Sequence, residues 1–319
     1  MKKSQSGSGR QSLAPDTITK ANQPEGNSSH HPNPGKHHYA ISVDDDNREY
    51  YVHIPKGYNG STDLPVVFML HGSGGEGLKF YNISGWVKEG DSENIITVFP
   101  SSWKYDCVLD DGVKKHNAEK WNSYDLVVCD DNKKRNDVKF LSSVIDDLKS
   151  KFAVNEKRIY MAGFSNGGEM AARCAIELSD KLAAVVACAG TLPHDASLTP
   201  LRKLPVWLQI GNADEKLIAN IGAVSPLPMD IPLLLSQYPA VQSVINTYIN
   251  SFELQPGYTI SGNPRKFTIA TYPGISGGAE NVFRFVMIKD LEHQYANGKN
   301  HPLVAADVHW DWMKDFMLP

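Results

Sequence analysis

One serine in this sequence stands between two glycines, at the point where a strand-like run changes into a helix-like one. The run from Arg158 to Gly163 is short and mostly apolar, and after Asn166 apolar residues recur at helical spacing. The segment between them, Gly163-Phe164-Ser165-Asn166-Gly167, matches the pattern G-x-S-x-G. In a strand-to-helix turn this pattern presents the serine hydroxyl as a nucleophile. We therefore predict that Ser165 attacks a substrate.

A serine hydroxyl is a poor nucleophile until a histidine accepts its proton, and the resulting imidazolium needs a carboxylate behind it. On a strand-turn-helix scaffold of this kind the partners follow the serine in the order acid, then histidine, on loops after later strands. The strand-like run LPVWLQIG ends in Asn212-Ala213-Asp214, and FRFVMIKD leads to His293. The sequence predicts Asp214 as the orienting carboxylate and His293 as the general base.

Other acids and histidines compete for these two roles. Asp195 also follows a strand, but that strand comes directly after the nucleophile helix. Asp230 and Glu253 lie in a segment that resembles a lid. His301 and His309 come late in the chain, and His309 falls within an amphipathic helical pattern. The expected chain order favours Asp214 and His293 over all five.

The oxyanion that forms on an acyl substrate needs two main-chain N–H donors. Asn166 begins the helix after the nucleophile, where unpaired amides point outward. The segment HGSGGEG follows the apolar run VVFML, and Ser73 within it is predicted to supply the second donor. Read alone, these glycines would indicate only a flexible turn. They lack the Lys-Ser/Thr ending of a phosphate-binding loop.

The elements around these residues alternate between strands and helices. Strand-like runs include REYYVHIP, LPVVFMLHG, NIITVFP, RIYMAG, LAAVVACAG, LPVWLQIG, FTIATYP and FRFVMIKD. The run VKFLSSVIDDLKSKFA has helical periodicity, with Asp137 placed to cap its start. This alternation predicts an α/β fold with a mostly parallel central sheet covered by helices on both faces.

Two segments interrupt this alternation, residues 107–136 and 219–263, and both follow the carboxyl ends of predicted strands, where open α/β sheets bind ligands. They are candidate pocket walls or lids. Trp103, Tyr105 and Trp121 lie in or before the first segment and are predicted to bind substrate. The alternative is that these rings pack the insertion onto the body of the protein.

Composition sets the class of protein and its partners. The chain has 319 residues and is 41% hydrophobic, which suits one globular domain, predicted over residues 39–319. Its net charge of −4 disfavours a nucleic-acid partner. Residues 1–38 are polar and predict a disordered tail. No apolar run reaches the ~18 residues of a membrane span. We expect a monomer that needs no metal or other cofactor.

The four cysteines permit disulfides without requiring them. Cys107 and Cys129 flank the polar insertion and would form a disulfide bridge in an exported protein; the alternative is two free thiols. The first residues include a basic start but no apolar stretch of a signal peptide.

The chain resembles the polyhydroxybutyrate depolymerase and feruloyl esterase group of α/β-hydrolases. The resemblance runs from about residue 48 to the C-terminus and is carried by LHGSGG, NDVKFLSSVIDDLKSKFAVNEKRIYMAGFSNGG, GNADE and EHQYANGKNHP. It implies an α/β-hydrolase fold with lid-like insertions, and its nucleophile, acid and base fall on Ser165, Asp214 and His293. It also implies a secreted or periplasmic enzyme, although a cytoplasmic one stays possible.

These observations favour a serine carboxylester hydrolase that works through an acyl-enzyme on feruloyl or other aryl esters, or on polyesters such as polyhydroxyalkanoates or aromatic polyesters. One alternative is a serine peptidase of the same fold, since the same three residues can cleave amides. Another is a binding protein that keeps the fold without catalysis. The acyl and alcohol specificity stays open at this point.

Overall fold

The centre of the protein is a ten-stranded sheet. The computed structural model describes residues 32–109, 112–128, 133–194, 196–224, 226–276 and 281–319. Strands are numbered in chain order, and β5 and β6 form a separate hairpin. The strands of the large sheet are β1 Gly35–Val43, β2 Asp46–Ile54, β3 Leu64–Leu70, β4 Ile96–Pro100, β7 Val154–Phe164, β8 Ala184–Cys188, β9 Val206–Gly211, β10 Thr259–Asn263, β11 Phe267–Pro273 and β12 Val282–Ile288. The hairpin consists of β5 Trp103–Val108 and β6 Lys114–Lys120.

The sheet is mostly parallel, as the alternation of elements predicted. The strand order is β1-β2-β4-β3-β7-β8-β9-β12-β11-β10. The six strands from β4 to β12 pair in parallel, and the two strands at each edge pair antiparallel. All residues of β3, β4, β8 and β9 are buried, because a parallel sheet is covered on both faces. The predicted α/β class is confirmed.

Helices pack against both faces of this sheet. They are α1 Gly77–Ile83, α2 Trp86–Glu93, α3 Asp137–Lys151, α4 Asn166–Glu177, α5 Glu215–Asn220, α6 Ile231–Gln237, α7 Pro239–Phe252 and α8 Ala305–Met313. Successive residues of a strand point to opposite faces. Phe68 of β3 accordingly joins the core that contains α3, α4 and α7, whereas Val67 joins the core that contains α1, α2 and α8.

Helix α3 begins at Asp137, the residue predicted to cap it, and the observed N-cap lies one residue earlier. Asn136 is the N-cap, and its side-chain oxygen accepts a hydrogen bond from the N–H of Lys139 at 2.9 Å. The prediction that Asp137 caps this helix is therefore wrong. Asp137 is fully buried and accepts from the Arg48 guanidinium at 2.7 Å and from the Asn122 N–H at 2.7 Å. It joins β2, α3 and the first insertion.

The boundaries of the predicted tail and insertions shift in the structure. Strand β1 starts at Gly35, inside the segment predicted as a tail; residues 1–31 lie outside the described part of the chain. The first insertion contributes the β5–β6 hairpin, and the second contributes α6, α7 and β10. Cys129 also lies outside the described residues, so its bridge to the buried Cys107 stays a prediction.

Within the described residues, no helix combines the length and apolar character needed to cross a membrane.

Removing the Asp137 carboxylate should destabilise the fold strongly. Asp137→Ala leaves the Arg48 guanidinium, which is only 3% exposed, without its ion-pair partner. Breaking such a buried pair costs about 3–5 kcal/mol of unfolding free energy. Urea denaturation followed by circular dichroism measures the loss, and the double variant Arg48→Met/Asp137→Leu should recover part of it. A loss below about 1 kcal/mol in Asp137→Ala would contradict this account.

A buried histidine should make stability depend on pH. Burial lowers the pKa of the His309 imidazole from 6.5 to about 3. Between these values the unfolded chain binds a proton that the folded chain does not, so stability falls as pH falls from 6.5 towards 3. This group alone should account for about 2 kcal/mol between pH 6.5 and pH 5. In urea denaturation, the unfolding free energy of His309→Gln should change by about 2 kcal/mol less than that of the wild type between pH 6.5 and pH 5. An unchanged pH dependence would refute the assignment of this effect to His309.

Candidate active site

Ser165 lies in a strained turn between β7 and α4. Its φ of 54° and ψ of −126° are unusual for a residue other than glycine. The turn is held because the Ser165 N–H donates to the Cys188 carbonyl at 2.8 Å. The flanking glycines have no room for a side chain: a Cβ on Gly163 would lie 1.9 Å from the Gly167 oxygen, and one on Gly167 would lie 2.3 Å from the His71 oxygen. The pattern G-x-S-x-G is therefore a packing requirement.

The structure brings the three residues predicted as nucleophile, base and acid into one hydrogen-bonded chain. Ser165 Oγ lies 2.9 Å from His293 Nε2, and His293 Nδ1 lies 2.9 Å from Asp214 Oδ2. With a proton on Nδ1, the imidazole donates to the carboxylate and accepts from the serine hydroxyl. The His293 ring also lies against the Phe164 ring, with 5.2 Å between centroids. This arrangement can move a proton from the hydroxyl to the imidazole.

The loops that carry the acid and the histidine are bonded to each other. Asp214 is 1% exposed and is the N-cap of α5, where its Oδ1 accepts from the N–H groups of Lys216 and Leu217 at 3.1 and 3.0 Å. Asn212 Oδ1 accepts from the Asp290 N–H at 2.6 Å, and the Ala213 N–H donates to the Leu291 carbonyl at 3.2 Å. These bonds hold the loops after β9 and β12 at a fixed separation.

Two main-chain donors lie beside the serine. Ser73 and Asn166, the predicted oxyanion donors, both line the same cavity as Ser165. Within the described part of the chain, neither of their backbone N–H groups has a hydrogen-bond acceptor. Asn166 is the first residue of α4, so its N–H belongs to the positive end of the helix dipole. Both N–H groups are available for an anionic oxygen.

A neutral histidine stabilises the loop that contains Ser73. Burial lowers the pKa of His71 to about 4, so its ring carries no charge at neutral pH. Its Nδ1–H donates to the Gly72 carbonyl at 2.8 Å, and its Nε2 accepts from the Ser102 N–H at 3.0 Å. The ring therefore holds the loop after β3 against the end of β4 without adding a positive charge.

The cavity at Ser165 has a volume of about 990 Å³. Its walls come from the β5–β6 hairpin, the loops after β8 and β9, and α7. Apart from imidazoles, Phe285 is the one aromatic ring among the described lining residues, and the apolar walls are otherwise aliphatic. Lys115, Lys120, Asp125 and Lys216 add charges to the lining.

The three aromatic residues predicted to bind substrate do not line this cavity in the described part of the chain. Trp103 stacks under the Arg48 and Arg135 guanidinium groups, 5.7 and 4.6 Å from its ring. Tyr105 is 1% exposed and its hydroxyl accepts from the Arg135 N–H. Trp121 is fully buried. The burial of Tyr105 and Trp121 contradicts the predicted substrate contact for these two rings, which fill the space between the insertion and the body of the protein. Substrate contact by the half-buried Trp103 stays a prediction.

The competing acids and histidines have other positions and contacts or lie outside the described residues. Asp230 caps α6, and Glu253 ends α7. The His301 ring hydrogen-bonds to the Lys289 carbonyl, and His309 is buried in α8. Asp195 falls outside the described part of the chain. Among the described residues, no group of three His, Cys, Asp or Glu side chains is arranged to hold a metal ion.

Sequence reasoning missed the side-chain contacts around the serine. Glu169 accepts hydrogen bonds from the Ser123 hydroxyl and the Asn166 amide at 2.8 and 2.9 Å. Glu215 Oε2 accepts from the His293 main-chain N–H at 3.1 Å. Glu169 lies three residues after Asn166 in a helical segment, and this spacing was the available signal for its contact with the Asn166 amide. Nothing in the local sequence indicated the second.

Proteins named as esterases are similar to this chain in sequence. Feruloyl esterase B of Piromyces equi is 24% identical over 280 residues, covering 85% of this chain and 46% of the relative. A bifunctional acetylxylan esterase/xylanase of Neocallimastix patriciarum is 22% identical over 279 residues, covering 85% and 34% respectively. The chain spans less than half the length of these two relatives.

Solved structures support the fold. An acetyl xylan esterase from Aspergillus awamori superposes with a TM-score of 0.54 at 12% identity, over 87% of this chain and 99% of the other. The predicted α/β-hydrolase fold is confirmed by this likeness and by the sheet and helix layers. A family model described as phospholipase/carboxylesterase matches residues 59–221, just over half of the 319 residues. The chain therefore belongs to the phospholipase/carboxylesterase family of α/β-hydrolases.

Proposed function

We propose that this protein hydrolyses carboxylic esters through a serine acyl-enzyme. The observation that carries the proposal is the hydrogen-bonded chain from Ser165 through His293 to Asp214, beside the free N–H groups of Ser73 and Asn166. A nucleophile, a base, an orienting acid and an oxyanion site are the parts that acyl transfer requires.

In the first half-reaction, Ser165 Oγ attacks the ester carbonyl while His293 Nε2 takes the hydroxyl proton. The negative charge that develops on the carbonyl oxygen is stabilised by the N–H groups of Ser73 and Asn166, each worth about 10²–10³ in rate. Asp214 stabilises the imidazolium and fixes its tautomer. His293 then donates its proton to the leaving alcohol, and the acyl group stays on Ser165.

In the second half-reaction, water replaces the alcohol. His293 takes a proton from the water as it attacks the acyl-enzyme, and the same two N–H groups stabilise the second oxyanion. His293 returns its proton to Ser165 Oγ when the tetrahedral intermediate collapses. The carboxylic acid leaves, and the serine is ready for another ester.

For the substrate we propose feruloyl or acetyl groups esterified to a polysaccharide such as xylan. The support is the naming of the two relatives, a feruloyl esterase and an acetylxylan esterase, together with a cavity of about 990 Å³ that can hold a bulky acyl group. The aliphatic lining would also accept a hydroxyalkanoate, so a polyester remains the second candidate.

A fluorophosphonate probe should label the protein at Ser165. Because the probe reacts only with an activated serine, Ser165→Ala should abolish labelling and lower kcat on p-nitrophenyl acetate by at least about 10⁴-fold. Mass spectrometry of the labelled peptide locates the adduct. Ser150→Ala, on the exposed surface of α3, is the matched control and should keep both signals. Labelling that survives Ser165→Ala would refute the assignment.

The same assay tests Asp214 without disturbing the helix cap. Asn caps helices about as well as Asp, so Asp214→Asn should fold normally. Its kcat should still fall by about 10⁴-fold, because an amide favours the wrong tautomer of His293. Near wild-type turnover in this variant would exclude Asp214 as the acid.

A substrate panel should identify the ester class. The panel contains methyl ferulate, acetylated xylan, short p-nitrophenyl esters, polyhydroxybutyrate, an aromatic polyester film and a peptide anilide. We expect turnover of the esters, highest kcat/KM for methyl ferulate or acetylated xylan, and none of the anilide, as measured by product release. Preferential clearing of a polyester would replace the polysaccharide proposal, and preference for the anilide would indicate a peptidase.

A further inference from the structure

We propose that the segment Glu119–Ser123, at the end of the β5–β6 hairpin, positions the two oxyanion donors, with Trp121 and the side chain of Asn166 as positioning residues. This inference rests on the proposed function. The donors come from separate parts of the chain, since Ser73 follows β3 and Asn166 begins α4. This segment, the bracket, is hydrogen-bonded to the loop of Ser73 and to the side chain of Asn166.

The bracket holds the loop of Ser73 on either side of that residue. The Gly74 N–H donates to the Glu119 carbonyl at 2.9 Å. The Trp121 indole N–H donates to the His71 carbonyl at 2.8 Å. The donor at Ser73 is therefore fixed by bonds one residue after it and two residues before it.

The bracket holds the other donor through the side chain of Asn166. The amide oxygen accepts from the Trp121 main-chain N–H at 2.6 Å. The amide nitrogen lies 3.2 Å from the Trp121 carbonyl and 2.9 Å from the Ser123 hydroxyl and the Glu169 carboxylate. The main-chain N–H proposed as an oxyanion donor belongs to this same residue, so fixing its side chain restrains the donor.

These bonds are shielded from water. Trp121 is fully buried, and Ser123 and Asn166 are 4% and 5% exposed. In such surroundings a hydrogen bond is stronger than at the surface, and an unpaired polar group is costly. The bracket is therefore stiff where it meets the two donors.

The bracket is also anchored on its other side. The Asn122 N–H donates to the buried Asp137 carboxylate at 2.7 Å, and the Arg173 guanidinium donates to the Asn122 carbonyl at 2.6 Å. Tyr124 follows with a φ of 100°, unusual for a tyrosine, and its ring lies 4.8 Å from the same guanidinium. Contacts to α3 and α4 thus keep the bracket from moving as a unit.

Oxyanion stabilisation requires donors 2.7–3.1 Å from the charged oxygen, and a displacement of about 1 Å can cost about 10²-fold in rate. If the bracket sets this geometry, loosening it should weaken transition-state binding and leave ground-state binding intact. If Trp121 only packs the hairpin, loosening it should lower stability and leave the chemistry intact. The two alternatives therefore predict different values of kcat: a lower one if the bracket positions the donors, and an unchanged one if Trp121 only packs the hairpin.

The test is Trp121→Phe, which keeps an aromatic ring and removes the indole N–H that reaches His71. We expect kcat on p-nitrophenyl acetate to fall about 10–100-fold with KM within about twofold. The inhibition constant of a trifluoromethyl ketone, which binds as a tetrahedral adduct, should rise by the same factor. That of the product carboxylate should not change.

Trp310→Phe is the matched control. Trp310 is 2% exposed in α8, and its indole N–H donates to Glu93 at 3.0 Å, so the chemical change and the burial are alike. We expect its melting temperature to fall as that of Trp121→Phe does, while kcat stays within about twofold of wild type.

Asn166→Ala is the second variant and decides the question should Trp121→Phe not fold. It keeps the main-chain N–H of residue 166 and removes the side-chain bonds to the bracket without adding a charge beside Glu169. It should show the same selective loss in kcat. An unchanged kcat in a folded variant would overturn the positioning role. So would inhibition constants that rise by the same factor for the trifluoromethyl ketone and for the product carboxylate. A wild-type protein that hydrolyses no ester would instead overturn the proposed function.

Discussion

The hydrogen bond between Ser165 and His293 is the contact on which the rest of the site depends. It joins residues 128 positions apart along the chain. It can form because β7, β9 and β12 are parallel strands of one sheet whose carboxyl ends meet at a common edge. The sheet brings the loops to that edge, and main-chain bonds between the loops set the final distances. The strain in the turn at Ser165 is offset by the packing of this edge.

Around this contact the protein buries polar groups and satisfies their hydrogen bonds within the protein. His71 carries no charge because burial lowers its pKa, and both of its ring nitrogens are hydrogen-bonded. Asn166 uses both atoms of its amide within the protein. Neutral, hydrogen-bonded side chains of this kind fix the loops beside the proposed oxyanion site without adding a charge there. Asn166 also ties the first insertion to the sheet edge that carries Ser165.

The first insertion has a different role from the one that its aromatic residues indicated. Trp121 and Tyr105 face inward and join the hairpin to the body, while smaller and charged residues of the hairpin, such as Ala118 and Lys120, face the cavity. Aromatic residues in an insertion predict either a binding surface or an internal contact, and composition does not separate the two. Burial decides between them, because a large ring gains more from complete removal from water than from a partly wet wall.

The sequence by itself determined the α/β class, the strand-to-helix turn at Ser165 and the chain order of Ser165, Asp214 and His293, because local patterns and chain order carry that information. It also indicated Ser73 and Asn166, whose N–H groups lie at predictable ends of a strand and a helix. Only the tertiary structure decided that Asn136 caps α3, that the rings of the insertion are internal, and that Asn166 joins the hairpin to the turn. Those outcomes depend on contacts between residues far apart in the chain, which no local pattern encodes.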